Sequence, residues 1–418
     1  MKFSKNFIVF IQLAGYTLVS FGAFCQNTTA PYSIYGIGDI DRQVYNRTNG
    51  IGSTGMAIRS ENYLINNNPA AISGLPRSFF VLNAAGIGRT VQFAGEGINA
   101  SNDNSKDFWI KGITLAVKVN KFWASSLGFK QFSNVNYKFS GERNVVGNND
   151  TYPAEYEGDG GLNDYFWTNA FSIGKHFSVG VKSSIIAGGI NRTEAVSNGT
   201  HLVSTKQQDY FGDPLFEYGA IYTGSINKHW DVSLGGKYIN KTKLDAERTL
   251  TVTDGTTIVV NDQFVKNGVF YLPQTYSAGI SVTHDKKIRF SADYSYENWA
   301  PLNISGNGWQ LVNSNRFSAG IELSKKVQKF GQTFEKKFFQ LGGFVNNSYL
   351  EVNNTPINEF GITAGTGGAI GNNLLYTISI GGGKRGTTNA NLIQENFLQF
   401  SISLTYRDFL FSKGRKYE

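Results

Sequence analysis

From residue 77 onward the chain repeats one unit, a run in which apolar and polar residues alternate, followed by a turn. The clearest pair spans residues 272–283 and 288–297. The first run sets Leu272, Gln274, Tyr276, Ala278, Ile280 and Val282 on one face, with Pro273, Thr275, Ser277, Gly279, Ser281 and Thr283 on the other. The second sets Ile288, Phe290, Ala292, Tyr294 and Tyr296 against Arg289, Ser291, Asp293, Ser295 and Glu297. Followed to the end, the pattern predicts fourteen strands, near 78–88, 110–119, 122–132, 165–174, 177–190, 215–226, 230–245, 271–283, 288–298, 315–323, 338–347, 358–367, 374–383 and 396–408.

Alternation alone fits a soluble β-sandwich as well as a membrane barrel. The connections separate the two. Long polar stretches at 88–108, 133–164, 191–214, 244–270 and 298–314 take turns with tight ones around Asn120, Lys175 and His176, Asn227 and Lys228, Asp285 and Lys286, and 371–373. The connection at 325–337 stands on the tight side yet is longer and basic. A sandwich has no reason to place its long loops on every second connection. An up-and-down antiparallel transmembrane barrel has short periplasmic turns and long outer loops. An even strand count brings both ends of the wall to the periplasmic side, and the circle must close because a free sheet edge is costly in hydrocarbon. The last run, Leu398, Phe400, Ile402, Leu404 and Tyr406 followed by Phe409 and Phe411, resembles the aromatic closing strand that barrel-assembly machinery recognises, here followed by a basic tail at 412–418.

The start of the chain is different. Lys2 and Lys5 precede an apolar run from Phe7 to Phe24, the layout of a signal peptide. Cleavage after Cys25 would leave Gln26 first; acylation of Cys25 is the competing reading, against which Phe24 stands where a small residue is needed. The expected division is a signal peptide at 1–25, an N-terminal hatch or plug at 26–76, a barrel at 77–411 and the tail. Loss of the leader removes two lysines, no acid and the only cysteine, so the net charge falls from +8 to +6 and no disulfide or cysteine metal site is possible. The remaining cations are scattered and the protein is exported, which excludes a nucleic-acid partner. Glycine at 48 residues and aromatics at 14% suit punctuated strands with aromatic girdles, and a mean hydropathy of -0.25 suits strands that are polar at every second position.

Residues 26–76 alternate poorly, and about fifty residues of compact chain ahead of a barrel are most economically housed inside it. They carry Gly50, Gly52 and Gly55, then Asn66 to Ala71, a sequence suited to a short capped helix. The run Gly50-Ile51-Gly52-Ser53-Thr54-Gly55-Met56-Ala57, followed by Asn68-Pro69-Ala70-Ala71 and Leu75 just before the first strand, resembles the N-terminal hatch of the FadL and OmpP1 long-chain fatty acid transporters. Gly381 to Arg385, Glu395 and the final strand are similar to the Bacteroidetes branch of that family. The resemblance implies a fourteen-stranded barrel in the outer membrane of a Gram-negative bacterium, with Asn68, Pro69 and Ala70 as hatch positions. It also implies uptake of hydrophobic molecules that adsorb outside, pass to a lumen site and leave through a gap in the wall.

Other chemistry is thin. Gly50, Gly52 and Gly55 match the spacing of a dinucleotide fingerprint, but no buried strand precedes them and no parallel βαβ unit follows, so tight turning inside a lumen is sufficient reason for them. His176, His201, His229 and His284 include no pair at metal spacing, and no serine stands out as a nucleophile. No catalytic residue, metal site or cofactor is expected. Inward charges such as Lys237, Lys241, Arg289, Asp293, Glu297 and Arg407 read as structural pairs that hold the plug, with a polar conduit as the alternative. Trp123, Trp167, Trp230, Trp299, Tyr222 and Tyr238 read as interfacial belts.

The expected function is passive uptake of hydrophobic molecules such as long-chain fatty acids. The expected partners are outer-membrane lipid and lipopolysaccharide, a hydrophobic ligand, barrel-assembly machinery and other outer-membrane proteins. The alternative is an interaction subunit of a secretion or envelope-assembly complex without transport activity, and a general porin ranks below both because of the plug.

Overall fold

The computed structural model describes residues 30–409 except 78, 99–102, 145–149, 198, 266, 330–331 and 372, so the expected signal peptide and the basic tail lie outside the described residues. Fourteen antiparallel strands form the wall. They are β1 (Phe79–Gly95), β2 (Asn104–Lys118), β3 (Trp123–Asn144), β4 (Thr151–Ile173), β5 (Phe177–Ser197), β6 (Leu202–Ser225) and β7 (Trp230–Ile239), then β8 (Gln274–His284), β9 (Ile288–Asn298), β10 (Ser314–Lys329), β11 (Gln332–Asn347), β12 (Glu359–Ile370), β13 (Leu374–Arg385) and β14 (Ile393–Phe409). Each pairs with its neighbours in the chain, and β1 closes the circle on β14 from Phe79 opposite Phe409 to Gly95 opposite Ile393. All fourteen expected runs are strands.

Neighbouring residues show that the wall is inside-out relative to a soluble sheet. Leu127 is 58% exposed beside Ser126 at 4%, and Leu341 is 59% exposed beside Gln340 at 5%. The same inversion recurs at Ile380 and Ser379 and at Phe400 and Ser401. Apolar side chains facing outward around a closed ring belong in hydrocarbon, and the chain is an outer-membrane β-barrel. Among the described residues no helix is long and apolar enough to span a membrane; the strands do so.

The tight turns are built by local chemistry. Asn120 Oδ1 accepts from the backbone N–H of Phe122 and Trp123, and Asn227 Oδ1 accepts from those of His229 and Trp230, so one Asx turn starts both β3 and β7.

The opposite end corrects the expected loops. Residues 133–164 and 191–214 are largely strand, because β3 to β6 run on past the apolar band as long hairpins. Within 244–270, Thr242–Asp254 continues alongside β6 and pairs with Thr257–Phe264 and Gly268–Leu272. A backbone ladder continues in water as well as in lipid, but with both faces polar the alternation that marks a strand is lost. The connection at 325–337 is not a loop either, since β10 and β11 pair to Lys329 and Gln332.

Candidate functional site

Residues 30–77 lie against the inner wall and run from the long-loop end to the short-turn end. At the outer end the Ala30 amide donates to Asn136 O (2.6 Å) and Tyr32 Oη donates to Ile393 O (2.6 Å). Tyr32 and Ile37 join Leu162, Ile190, Leu272, Leu350 and Leu392 in an apolar cap. Trp299 belongs to the same cap rather than to an interfacial belt. It is 1% exposed, its ring stacks on Tyr349 at 5.0 Å, and its Nε1 donates to Glu297 (2.6 Å), because the residue follows the end of β9 and turns inward.

Midway, Arg47 is held between two wall carboxylates, with 2.8 Å to Glu322 and 2.7 Å to Glu335. The guanidinium lies 4.2 Å from the centre of the Phe338 ring and 4.5 Å from that of Tyr63. Burial works against the charge, but the two carboxylates more than reverse this and hold Arg47 protonated. Farther down, Asn68 caps a short 3₁₀ helix, Pro69–Gly74, by accepting from the Ala70 amide (3.0 Å). Its Nδ2 donates to Met56 O, Ala220 O and Gly236 O at 2.9, 3.1 and 3.0 Å. Leu64, Ile72 and Leu75 then pack on Val81, Ala116, Ala124 and Ala170 at the short-turn end.

The expected hatch residues thus meet the wall, and they meet it at glycines. Gly50 lies against Gly365, Ile51 against Gly320 and Gly342, and Gly52 against Gly343 O. Met56 lies against Gly235 and Gly279, Asn68 against Gly219, and Pro69 against Gly180. A Cβ on Gly320 would stand 2.6 Å from Ile51 Cβ, and one on Gly365 would stand 3.0 Å from Gly50 Cα. Gly52, at φ +71°, ends the 3₁₀ turn Arg47–Ile51 in the left-handed region. Seven strands therefore contribute one small inward position each to a track for the segment. This track was not anticipated. Its signal was in the sequence, because each of these wall glycines except Gly343, which meets Gly52 through its carbonyl, sits at a position whose alternation points inward.

Most inward charges of the wall are spent on pairs, Arg316 being held instead by Gly52 O and the face of Phe344. Asp293 accepts from the amides of Gly55 (2.6 Å) and Met56 (3.0 Å), Glu297 binds Arg42 Nε (2.8 Å), and Arg407 binds Asn62. Lys237 and Arg289 pair instead with the wall acids Glu217 and Glu322, and Lys182 bridges Asp164 and Glu217 at 2.6 Å each. Lys241 lies over the Tyr271 ring. Two cavities lie between segment and wall. One of about 100 Å³ is lined by Asp39, Arg89, Lys111, Arg316, Glu359 and Arg385 among others. The other, about 170 Å³, is lined by Arg42, Lys130, Asp164, Glu217, Lys237 and Asp293 with Ile40, Phe132, Leu215 and Leu272. Both are mixed and charged rather than a continuous apolar passage.

The wall itself is split. β2 and β3 pair only from Gly112 opposite Lys130 to Lys118 opposite Ala124. Above that point β2 stays with β1, β3 stays with β4, and β3 has a bulge between Gln131 and Ser133. The freed edge of β3 is taken by the N-terminal segment: Asp39 pairs with Asn134, Ile40 with Ser133, and the Asp41 amide donates to Phe132 O (2.9 Å). Lys111 spans the divergence, donating to Gln131 and Asp41 at 2.7 Å. On the lipid side Phe108 and Ile110 continue the apolar exterior of β2 beside the split.

The BamG family model matches residues 4–418. The chain belongs to the BamG family. A comparison with curated proteins finds no significant match. Among solved structures, this BamG-family chain is similar to a FadL homologue of Pseudomonas aeruginosa, with a TM-score of 0.60 and 12% identity over 90% of this chain and 100% of that one. It is also similar to the toluene transporter TbuX of Ralstonia pickettii (TM-score 0.55, 14% identity, 87% and 98% covered). A third is the monoaromatic hydrocarbon channel CymD (TM-score 0.52, 14% identity, 87% and 97% covered). At such identities the likeness is one of fold, and at that level the FadL resemblance holds.

Among the described residues no three histidine, cysteine or carboxylate side chains gather as a metal site. His176 is tied to Thr223 O and His229 to Asp285, both at exposed turns. What the BamG-family barrel offers is a filled lumen, a side opening and a strand of its own N-terminal segment set into that opening.

Proposed function

We propose that the barrel passes a small hydrophobic molecule sideways into the membrane through the split between β2 and β3, with residues 30–77 as the gate. The observation that carries this reading is the pairing of Asp39 and Ile40 with the freed edge of β3, since the element that fills the opening is also the element that fills the lumen. Two fold neighbours, a toluene transporter and a monoaromatic hydrocarbon channel, support the same ligand class. Size favours a compact ligand over a long acyl chain. By volume alone about 150 Å³ is enough for benzene, and the larger lumen cavity has about 170 Å³, with Ile40, Phe132, Leu215 and Leu272 among its otherwise charged lining. A fatty acid fits only once the segment has moved.

The test fixes the gate. Asp39 and Asn134 face each other across the ladder, so D39C/N134C can form a disulfide between them. Uptake of radiolabelled toluene and oleate is measured in cells before and after oxidation. Uptake that stops on oxidation and returns with reductant supports the proposal. Uptake that ignores the lock, or that equals cells lacking the protein, overturns it.

The paired, charged lumen favours a second reading, a closed barrel that serves as an interaction subunit of an envelope complex. Under that reading toluene and oleate uptake do not depend on the protein at all, while a stoichiometric partner co-purifies in mild detergent.

A further inference from the structure

The short-turn end of β10 and β11 carries charge on its outer surface. Leu323 and Phe339 are cross-strand partners, both about half exposed, and form the last apolar row of the outward face there. The next outward pair is Lys325 opposite Lys337, and both are exposed. The adjoining turn adds Lys286 and Lys287, both exposed, and is fixed beside β10 by the hydrogen bond from the Ser324 amide to Lys287 O (2.7 Å).

Like charges directly opposite on a ladder repel. None of these four lysines has an ion-pair partner among the described residues: Glu322 and Glu335 point inward and are engaged by Arg47 and Arg289, and the exposed Asp285, whose charge acts on Lys287, is held by His229 and His284. The opposed ammonium groups of Lys325 and Lys337, at the lower border of an apolar band on a surface that faces lipid, have one geometrically matched counter-charge: a phosphate held at headgroup depth while its acyl chains lie along Leu323 and Phe339.

We propose that Lys325 and Lys337, with Lys286 and Lys287 beside them, form a binding site for an anionic glycerophospholipid of the periplasmic leaflet. The acyl contacts distinguish this ligand from free phosphate, and the position at the border of the lipid-facing band favours it over an acidic protein segment.

The delipidated barrel, folded in detergent, is exposed to an equimolar mixture of phosphatidylglycerol and phosphatidylcholine of the same chain length and analysed by native mass spectrometry. The protein is expected to retain phosphatidylglycerol several-fold over phosphatidylcholine, to lose that preference in K325Q/K337Q and to keep it in K121Q/K175Q, which alters other turns of the same rim. Equal retention of the two lipids, displacement of phosphatidylglycerol by millimolar inorganic phosphate, or an unchanged preference in K325Q/K337Q overturns the proposal. A photo-cross-linking residue at position 337 gives a reading in cells that does not depend on how the double variant folds: a lipid adduct supports the site, and a discrete protein adduct refutes it.

Discussion

Arg47 and Glu322, separated by 275 residues in the chain, meet inside the barrel through two hydrogen bonds of 3.0 and 2.8 Å, and both side chains are buried. Glu322 also holds Arg289, and Glu335 completes the grip on Arg47. Removing one partner from such a group leaves the others charged and desolvated, a loss of about 3 to 5 kcal/mol. R47M is therefore expected to free the N-terminal segment for limited proteolysis while the wall still migrates as a folded barrel in unheated gels. R47M/E335Q, which leaves Glu322 with Arg289, is expected to recover much of the protection.

The glycine track predicts a backbone clash. A Cβ on Gly342 would stand against Ile51 C and 2.6 Å from Gly52 N, main-chain atoms that no side-chain truncation removes, and overpacking of this kind costs about 1 to 3 kcal/mol. G342A is therefore expected to lower the urea midpoint, and I51A/G342A is expected not to recover it. Full recovery in the double variant would show that the side chain of Ile51, not its backbone, bears on that glycine.

Asn68 acts through both ends of its amide. N68A removes the cap and the donor to three carbonyls, worth about 2 to 3 kcal/mol together. N68D keeps the capping oxygen but aims a carboxylate at those carbonyls, so it is expected to destabilise at least as much as N68A in the same urea measurement. A milder N68D would make the cap the dominant contribution.

Acid tests the outer end. Burial raises the Asp39 carboxyl, yet Arg385, at 2.8 Å through Nη2, draws it below the usual carboxylate range. A carboxyl with a depressed folded value stabilises above its unfolded value of about 3.9 and loses that contribution as pH falls through the folded value. D39N is expected to lower the urea midpoint between pH 5 and 8, and the gap to wild type is expected to close as the pH falls through the folded-state value of Asp39, below the usual carboxylate range. A gap that persists unchanged in acid would mean the Asp39 charge is not the cause.

The wall was legible in the sequence because lipid enforces one rule on it, that every second residue be apolar. Ser277 and Ser281 are buried while Tyr276 and Ile280 are exposed, as the alternation of that run requires. Where lipid ends, the rule ends too, and strands such as the outer halves of β3 and β4 were read as loops. Trp299 misled for another reason, since an aromatic near a strand end serves a membrane border or an inner cap equally well, and only the direction of the chain after Asn298 decides. The split between β2 and β3 left no trace in composition. It depends on where a ladder stops, a relation between two strands that neither sequence states alone.

The track of inward glycines has a consequence for how the barrel is held shut. Residues 50–70 meet glycines from β5 round to β12, and they also reach both strands of the seam that completes the circle, since Arg407 of β14 binds Asn62 and Val81 of β1 packs with Leu64. The interior is thus a casting of the chain itself, one that rivets the two seam strands together from within as well as bearing on the wall between them.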